Sequence, residues 1–391
     1  MSEQPLPDRD AAKALLRRLS TLSTQSLGPC AVDRPLVLYG AGKLGRMAAD
    51  LFDSLGIDVA YAVDRTPPES GLLAGHIPVL TPDAVPSADK ASHLIAVCIV
   101  TASYDPIHDF LAQTGWQHVQ PVYDVLEAYA DRLPMGNGWF AGALLEPDRG
   151  EIEKVLERWD DDESRAAHLQ FMAWRVARQE WRFDQAPVRI DDRYFIEPVL
   201  RAMGDKESFL DAGAYHGEVL GRWLQWVGGQ FDRILAVESD RDNAAHLRET
   251  IAAMPNEVAN RIRVEECALA AEAGNRPFAH GMGLASRLMP AADDEVRACR
   301  LDDLDFPLTF GKIHLEGSEL DALKGGAETL RRQRPILAVT VYHNRDGLWR
   351  TPAYLMDLLP NYRFLMRLHA WCGTGALIYA IPNEKWNDNP L

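Results

Sequence analysis

Lys312, His314 and Glu316 occupy alternate positions in Lys312-Ile-His-Leu-Glu316. Alternation places side chains on one face of a strand. An imidazole beside a carboxylate can accept a hydroxyl proton near neutral pH, so His314 is a candidate general base. The plainer alternative is a histidine that only bonds a neighbour such as Glu316. His343, closing Val339-Thr-Val-Tyr-His343, is a second candidate base. Gly317 suits a sharp strand-to-helix turn, and Glu319 reads as a helix opener favoured by the helix dipole.

A second group precedes these. Ser208-Phe-Leu-Asp-Ala-Gly-Ala-Tyr-His-Gly-Glu218 reads as a buried strand, a small-residue turn and a helix start. Asp211, Gly213 and Gly217 punctuate it. Glycines let a ligand approach the backbone without Cβ atoms in the way. The next strand, Arg233–Glu238, ends in a carboxylate. Strand, glycine turn, helix, strand and acid form the layout of a site for an adenosine-containing cofactor, the acid accepting from ribose hydroxyls. Asp211 could instead be a turn or capping residue.

A comparable pattern lies nearer the N-terminus. Gly40-Ala-Gly42-Lys-Leu-Gly45 follows the strand Pro35–Tyr39, and Asp64 closes the strand Asp58–Val63. The candidate ligand of Gly40, Gly42, Gly45 and Asp64 is a nucleotide, NAD or a nucleotide-sugar. The alternative is a domain that keeps this fold only as a scaffold. No proton-relay group in this half completes a dehydrogenase.

The elements that must position these residues alternate between strand and helix, which predicts parallel sheets and an α/β class. We expect two Rossmann-like domains: residues 1–130, a helical connector 131–190, and 191–391. The last is expected to hold a seven-stranded sheet ending in an antiparallel hairpin, Arg363–Leu368 with Ala376–Ile381. One helix is expected over Glu319–Gln333. The stretch His280–Arg287 reads as an acceptor-side loop or a plain connection. Trp349 and Trp371 are packing or pocket aromatics.

Several motifs occur together in order. Asp211-Ala-Gly-Ala-Tyr-His-Gly217 resembles the D-x-G-A-x-x-G motif of the FkbM family of methyltransferases. Ala236-Val-Glu238 resembles its second-strand acid, and Cys267-Ala-Leu269 its third-strand element. Arg300-Leu-Asp-Asp-Leu304 and Lys312–Glu319 resemble its T/R-L-D-D-L and K-x-D-x-E-G-x-E segments. Asp191-Asp-Arg-Tyr-Phe195 is similar to the lead-in of one branch. The resemblance covers about residues 190–382 and implies an S-adenosylmethionine-dependent methyltransferase. It implies cofactor contacts from Tyr194, Asp211, Gly213, Ala214, Tyr215, Gly217, Glu238, Cys267 and Ala268. His314, Glu316 and His343 would then face the acceptor, a hydroxyl of a sugar, glycan or small metabolite. His314 stands where the family usually has Asp, which leaves metal dependence open. The first domain resembles Rossmann-like modules that precede enzymes of sugar and polysaccharide modification. Rival readings are an NAD-linked oxidoreductase built on Gly40, and a non-catalytic nucleotide-binding sensor or scaffold.

Composition bounds the partners. Lys and Arg number 41 against 57 Asp and Glu, a net charge of −16. That balance offers no excess to neutralise phosphates, so nucleic acid is not an expected partner. The five cysteines are far apart without a C-x-x-C pair. Neither a disulfide framework nor a zinc site is expected from them, and a reducing, cytoplasmic setting is. Met1–Asp10 lacks a hydrophobic signal core, and Leu94–Ala102 is too short to span a bilayer. Association into oligomers stays open.

Overall fold

The computed structural model describes residues 4–22, 27–133, 144–283, 286–290 and 292–387. Parts of the expected N-terminal stretch, connector and loop, namely 1–3, 134–143, Leu284 and Ala285, lie outside the described residues.

The first sheet comprises β1 (Leu36–Tyr39), β2 (Val59–Val63), β3 (Leu72–Leu73), β4 (Ile77–Leu80), β5 (Leu94–Val97) and β6 (His118–Pro121). Its order is β3-β4-β2-β1-β5-β6. All pairings are parallel except β3 with β4. β1 and β5 are uninterrupted apolar runs buried on both faces, as central parallel strands require.

The second sheet takes β7 (Glu207–Ala212), β8 (Phe231–Glu238) and β9 (Ile262–Glu266) from one stretch of chain. A small sheet follows, made of β10 (Ala268–Leu269), β11 (Gly274–Ala279), β12 (Arg287–Leu288) and β13 (Glu295–Cys299). β14 (Phe310–Ile313), β15 (Ile336–Thr340), β16 (Tyr362–Leu368) and β17 (Ala376–Pro382) complete the large sheet. Its order is β16-β17-β15-β14-β7-β8-β9. β17 runs antiparallel to both β15 and β16, giving the expected closing hairpin. Strand order reverses between β7 and β14. In open α/β sheets the crevice beyond the strand ends at such a reversal is where ligands collect.

Helices Glu146–Arg158 and Asp162–Ala177 lie in the expected connector. Every residue from Ser164 to Ala177 is buried, so this helix is surrounded by protein on all sides. Its core includes Ile152, Leu156 and Trp159 of the connector and Leu210 and Leu337 of the large sheet. Ala12, Leu16 and Leu19 of the leading helix Arg9–Leu19 join that same core rather than the core of the first sheet.

The connector also grips the first domain. Glu180 accepts from the Ser103 hydroxyl and the Tyr104 and Asp105 amides, at the start of helix Tyr104–Gln113. A carboxylate there caps amides that have no partner within the helix. Arg178 pairs with Asp124 of helix Val122–Glu127, and both side chains are almost wholly buried.

Two expectations need correction. The helix expected over Glu319–Gln333 is two helices, Glu319–Gly325 and Ala327–Gln333. A Cβ on Gly325 would meet the Ala270 carbonyl oxygen at 2.0 Å, and one on Gly326 would meet Leu301 at 2.7 Å. The break lets neighbouring chain pack against the backbone. The cysteines, whose spacing gave no disulfide framework, do hold one bridge: Cys267 is joined to Cys299, with Cα atoms 6.3 Å apart. The parallel pairing of β10 with β13 brings together residues separated by 32 positions.

None of the described helices is long and apolar enough to cross a membrane. Removing one partner of a buried ion pair leaves an uncompensated charge. Asp124→Ala is therefore expected to lower stability by about 3–5 kcal/mol in a denaturant titration, and a loss below about 1 kcal/mol would contradict a gripping role for this pair.

Candidate functional site

The site begins with two loops that touch backbone to backbone. Gly213 follows β7 with φ +77°, and a Cβ there would lie 1.9 Å from the carbonyl oxygen of His314. Tyr215 and Gly217 are also left-handed, so the chain turns tightly before helix Glu218–Val227. Lys312 holds this arrangement from beneath. Its buried ammonium lies 2.9 Å from Asp211 Oδ1 and donates to the carbonyls of Ala212 at 3.1 Å and Gly213 at 2.6 Å. Burial pushes the Asp211 carboxyl upward while Lys312 pulls the other way.

His314 and Glu316 do not continue the strand face with Lys312. β14 ends at Ile313, and Glu316 adopts φ +48°. Lys312 points down to Asp211, whereas His314 and Glu316 turn toward His343, which lies beyond β15. His314 Nε2 is 3.1 Å from Glu316 Oε1, and His343 Nε2 is 3.4 Å from the same oxygen. The two imidazoles stack with centroids 4.9 Å apart. His314 Nδ1 meets the Tyr194 hydroxyl at 2.7 Å, and His343 Nδ1 meets Glu319 Oε1 at 2.6 Å. Glu319 also accepts from the amides of Leu315 and Gly317 and the hydroxyl of Thr340.

The environment drives the two histidines apart. Burial lowers His314 to about 3, despite Glu316. Burial also opposes charge on His343, but Glu316 and Glu319 outweigh it and hold this imidazole well above its ordinary value. Glu316 is held well below the carboxylate range, because His343 and His314 overcome its burial. In this hydrogen-bonding state a charged His343 lies between two carboxylates and His314 is neutral. Both ring nitrogens of each imidazole already face a polar neighbour.

Two cavities meet across the Gly213–His314 wall. The first is a cleft lined by Gly213, Tyr215, Glu238, Asn243, Ala268 and Phe278, among others. Glu238 is pinned at its edge, accepting from the amides of Tyr215 at 2.8 Å and Asp240 at 2.9 Å. Burial pushes its carboxyl upward against those two bonds. Asp240 in turn accepts from the amides of Gly281, Asp242 and Asn243, while Asn243 donates to the Gly283 carbonyl. These bonds fold the described part of the His280–Arg287 loop over the cleft.

The second cavity, of about 360 Å³, lies between the domains. Tyr194, Ala214, Arg193, His314, Glu316 and His343 line it from the large-sheet side. Lys43, Met47 and Tyr123 line it from the first domain. Lys43 opens the helix after the first glycine turn, and its ammonium meets Glu218 at 2.7 Å.

The remaining expected residues fall as follows. Asp211 is fully buried against Lys312, while Gly217 and Cys267 are buried behind the cleft; none of the three lines either cavity. Gly40, Gly42, Gly45 and Asp64 also line neither. Asp64 accepts from the amides of Ala41 at 2.7 Å and Thr66 at 2.9 Å, bracing its own turn. Trp349 is buried in the core, and Trp371 packs away from the interdomain cavity. Sequence reasoning missed Asn243, Arg193 and Tyr342, and treated Glu319 only as a helix opener. Asp240 and Asn243, three apart at a helix start after the acid-ended strand, carried a usable signal.

Residues 211–366 match the family model described as the methyltransferase FkbM domain. No curated protein matches the chain. A crystal structure titled methyltransferase FkbM from Methylobacillus flagellatus KT is similar at 19% identity and a TM-score of 0.62. It covers 95% of this chain and 98% of its own, so the likeness in fold takes in both large sheets. Two further solved structures match about half the chain. One is the methyltransferase domain of bacterial CtHen1-CN, at 12% identity, covering 46% of this chain and 91% of its own, with a TM-score of 0.30. The other is a SAM-dependent methyltransferase from Aquifex aeolicus, at 15% identity, covering 49% and 93%, with a TM-score of 0.29. Scores that low carry no argument.

The clamp beneath the glycine turn can be tested by stability. Lys312→Met leaves Asp211 buried without its partner and is expected to cost about 3–5 kcal/mol in chemical denaturation. Gly213→Ala puts a Cβ against backbone at positive φ and is expected to destabilise by more than about 1 kcal/mol. Near-neutral effects for both would remove the clamp from the account.

Proposed function

We propose that the protein is an S-adenosylmethionine-dependent methyltransferase that methylates a hydroxyl oxygen of a sugar, glycan or related small metabolite. The observation carrying this reading is the pair of cavities divided by the Gly213–His314 wall. One has a fixed carboxylate at its edge, and the other a polar cluster at its floor. The cleft fits the donor. Glu238 keeps lone pairs beyond its two backbone bonds, suited to ribose hydroxyls. Ala268, Leu269, Phe278 and Leu288 offer apolar walls for a purine. Gly213 and Tyr215, which line both cavities, would border the methionine end, with Ala214 and Tyr194 on the acceptor side of the wall. Asp211 and Gly217 would act from behind, by shaping the turn.

When bound, the cofactor supplies a sulfonium methyl: the acceptor oxygen gains a C–O bond while the C–S bond breaks, with its electron pair left on sulfur. The chain's own task is then to orient the acceptor, exclude water and receive its proton. The interdomain cavity suits the acceptor, because it opens on the neutral His314 and the Glu316 carboxylate, toward which that proton would leave. Arg193, stacked on Tyr194 and Tyr342, and Lys43 of the first domain would help to orient a polar acceptor.

Calorimetry with S-adenosylmethionine tests the reading. The protein is expected to bind it, with S-adenosylhomocysteine competing. Glu238→Gln, which keeps the side chain's size, should weaken binding roughly 10–100-fold, the range for a charge-assisted hydrogen bond. Undiminished binding in that variant counts against the assignment of the cleft. NADH binding insensitive to S-adenosylhomocysteine would favour an oxidoreductase, and binding without turnover over a broad acceptor panel would favour a sensor.

A further inference from the structure

We propose that His314, Glu316 and His343 bind one divalent ion of the zinc class at the floor of the interdomain cavity. Each offers a ligand atom, and these atoms lie within 4.8 Å of one another. Among the described residues this is the group of three His, Cys, Asp or Glu side chains that converges in this way. Ligands held about 2.0–2.1 Å from one tetrahedral ion are roughly 3.3 Å apart. The two contacts on Glu316 Oε1 measure 3.1 Å from His314 Nε2 and 3.4 Å from His343 Nε2. Two of the three separations are already close to that value, and the third, between the two imidazoles, is no more than 4.8 Å.

The outer contacts strengthen the case. In metal sites a ligating imidazole usually has its other nitrogen fixed by an oxygen, which sets ring orientation. Here both histidines are held by Nδ1, His314 on the Tyr194 hydroxyl and His343 on Glu319. Glu319 is itself braced by two amides and Thr340. Three protein ligands leave at least one position for an outside oxygen, and the cluster faces the cavity. Two imidazoles favour zinc, cobalt or nickel over magnesium and calcium, which prefer all-oxygen sets. The exclusion of zinc drawn from cysteine spacing therefore does not reach this site. Ion binding stands apart from the methyl-transfer reading. Its use, drawing electron density from an acceptor oxygen so that the proton leaves more easily, rests on that reading.

The test uses full-length, tag-free protein stripped with a chelator and titrated with zinc by calorimetry and with cobalt by visible absorption. One ion per chain is expected, with cobalt d–d bands. His314→Ala should abolish them, Glu316→Gln should weaken binding, and Tyr194→Phe should weaken it about 10–100-fold through the outer contact alone. Circular dichroism checks that each variant folds. Absence of saturable zinc or cobalt binding, binding undiminished in folded His314→Ala, or binding of magnesium alone would overturn the proposal. S-adenosylmethionine titrated into the parent separates the two readings. Cofactor binding without ion binding sinks only the ion site, and the converse sinks only the methyltransferase reading.

Discussion

The buried ammonium of Lys312 is the constraint on which the rest of the site depends. It stands where the strand order reverses, between β7 and β14, and reaches a carboxylate and two carbonyls at once. Neither charge is accessible to water, so each needs the other. That mutual need fixes how the ends of two strands sit against each other. From it follow the contact of Gly213 with His314, the tight turn into helix Glu218–Val227, and the wall dividing the two cavities.

Much of this was legible in the residues. Apolar runs such as Leu36–Tyr39 and Ile336–Thr340 announced buried parallel strands, since both of their faces had to be covered. Asp211, Gly213 and Glu238 marked one end of the large sheet, because a glycine turn and a strand-ending acid have few other uses together. The cluster of His314, Glu316 and His343 was legible in membership and not in geometry. Alternation predicted one strand face for Lys312, His314 and Glu316, but the strand stops at Ile313 and Glu316 turns left-handed. The roles of Glu319 and Tyr194 depend on contacts across the sheet, which no local pattern records. The same holds for the break at Gly325 and Gly326, where the cause is Ala270 and Leu301 packed close by.

The first domain departs from what its motif alone suggests. Its glycine turn is well formed, yet Asp64 is occupied in bracing that turn. The part of the motif that reaches a cavity is Lys43, and the cavity is shared with the other domain. The connector makes that sharing firm, with Glu180 capping one helix of the first domain and Arg178 paired to another. The domains meet through buried charge rather than a loose tether.

The sharing of the interdomain cavity bears on how such proteins diversify. Every residue lining the cleft at Glu238 falls between Gly213 and Ser318, whereas Lys43, Met47 and Tyr123 line only the other cavity. Substitutions at these three positions can reshape one ligand space and leave the opposite one intact. Selection can thus explore new chemistry for one ligand without first losing the other, a separation that a single-domain site, built from one set of loops, lacks.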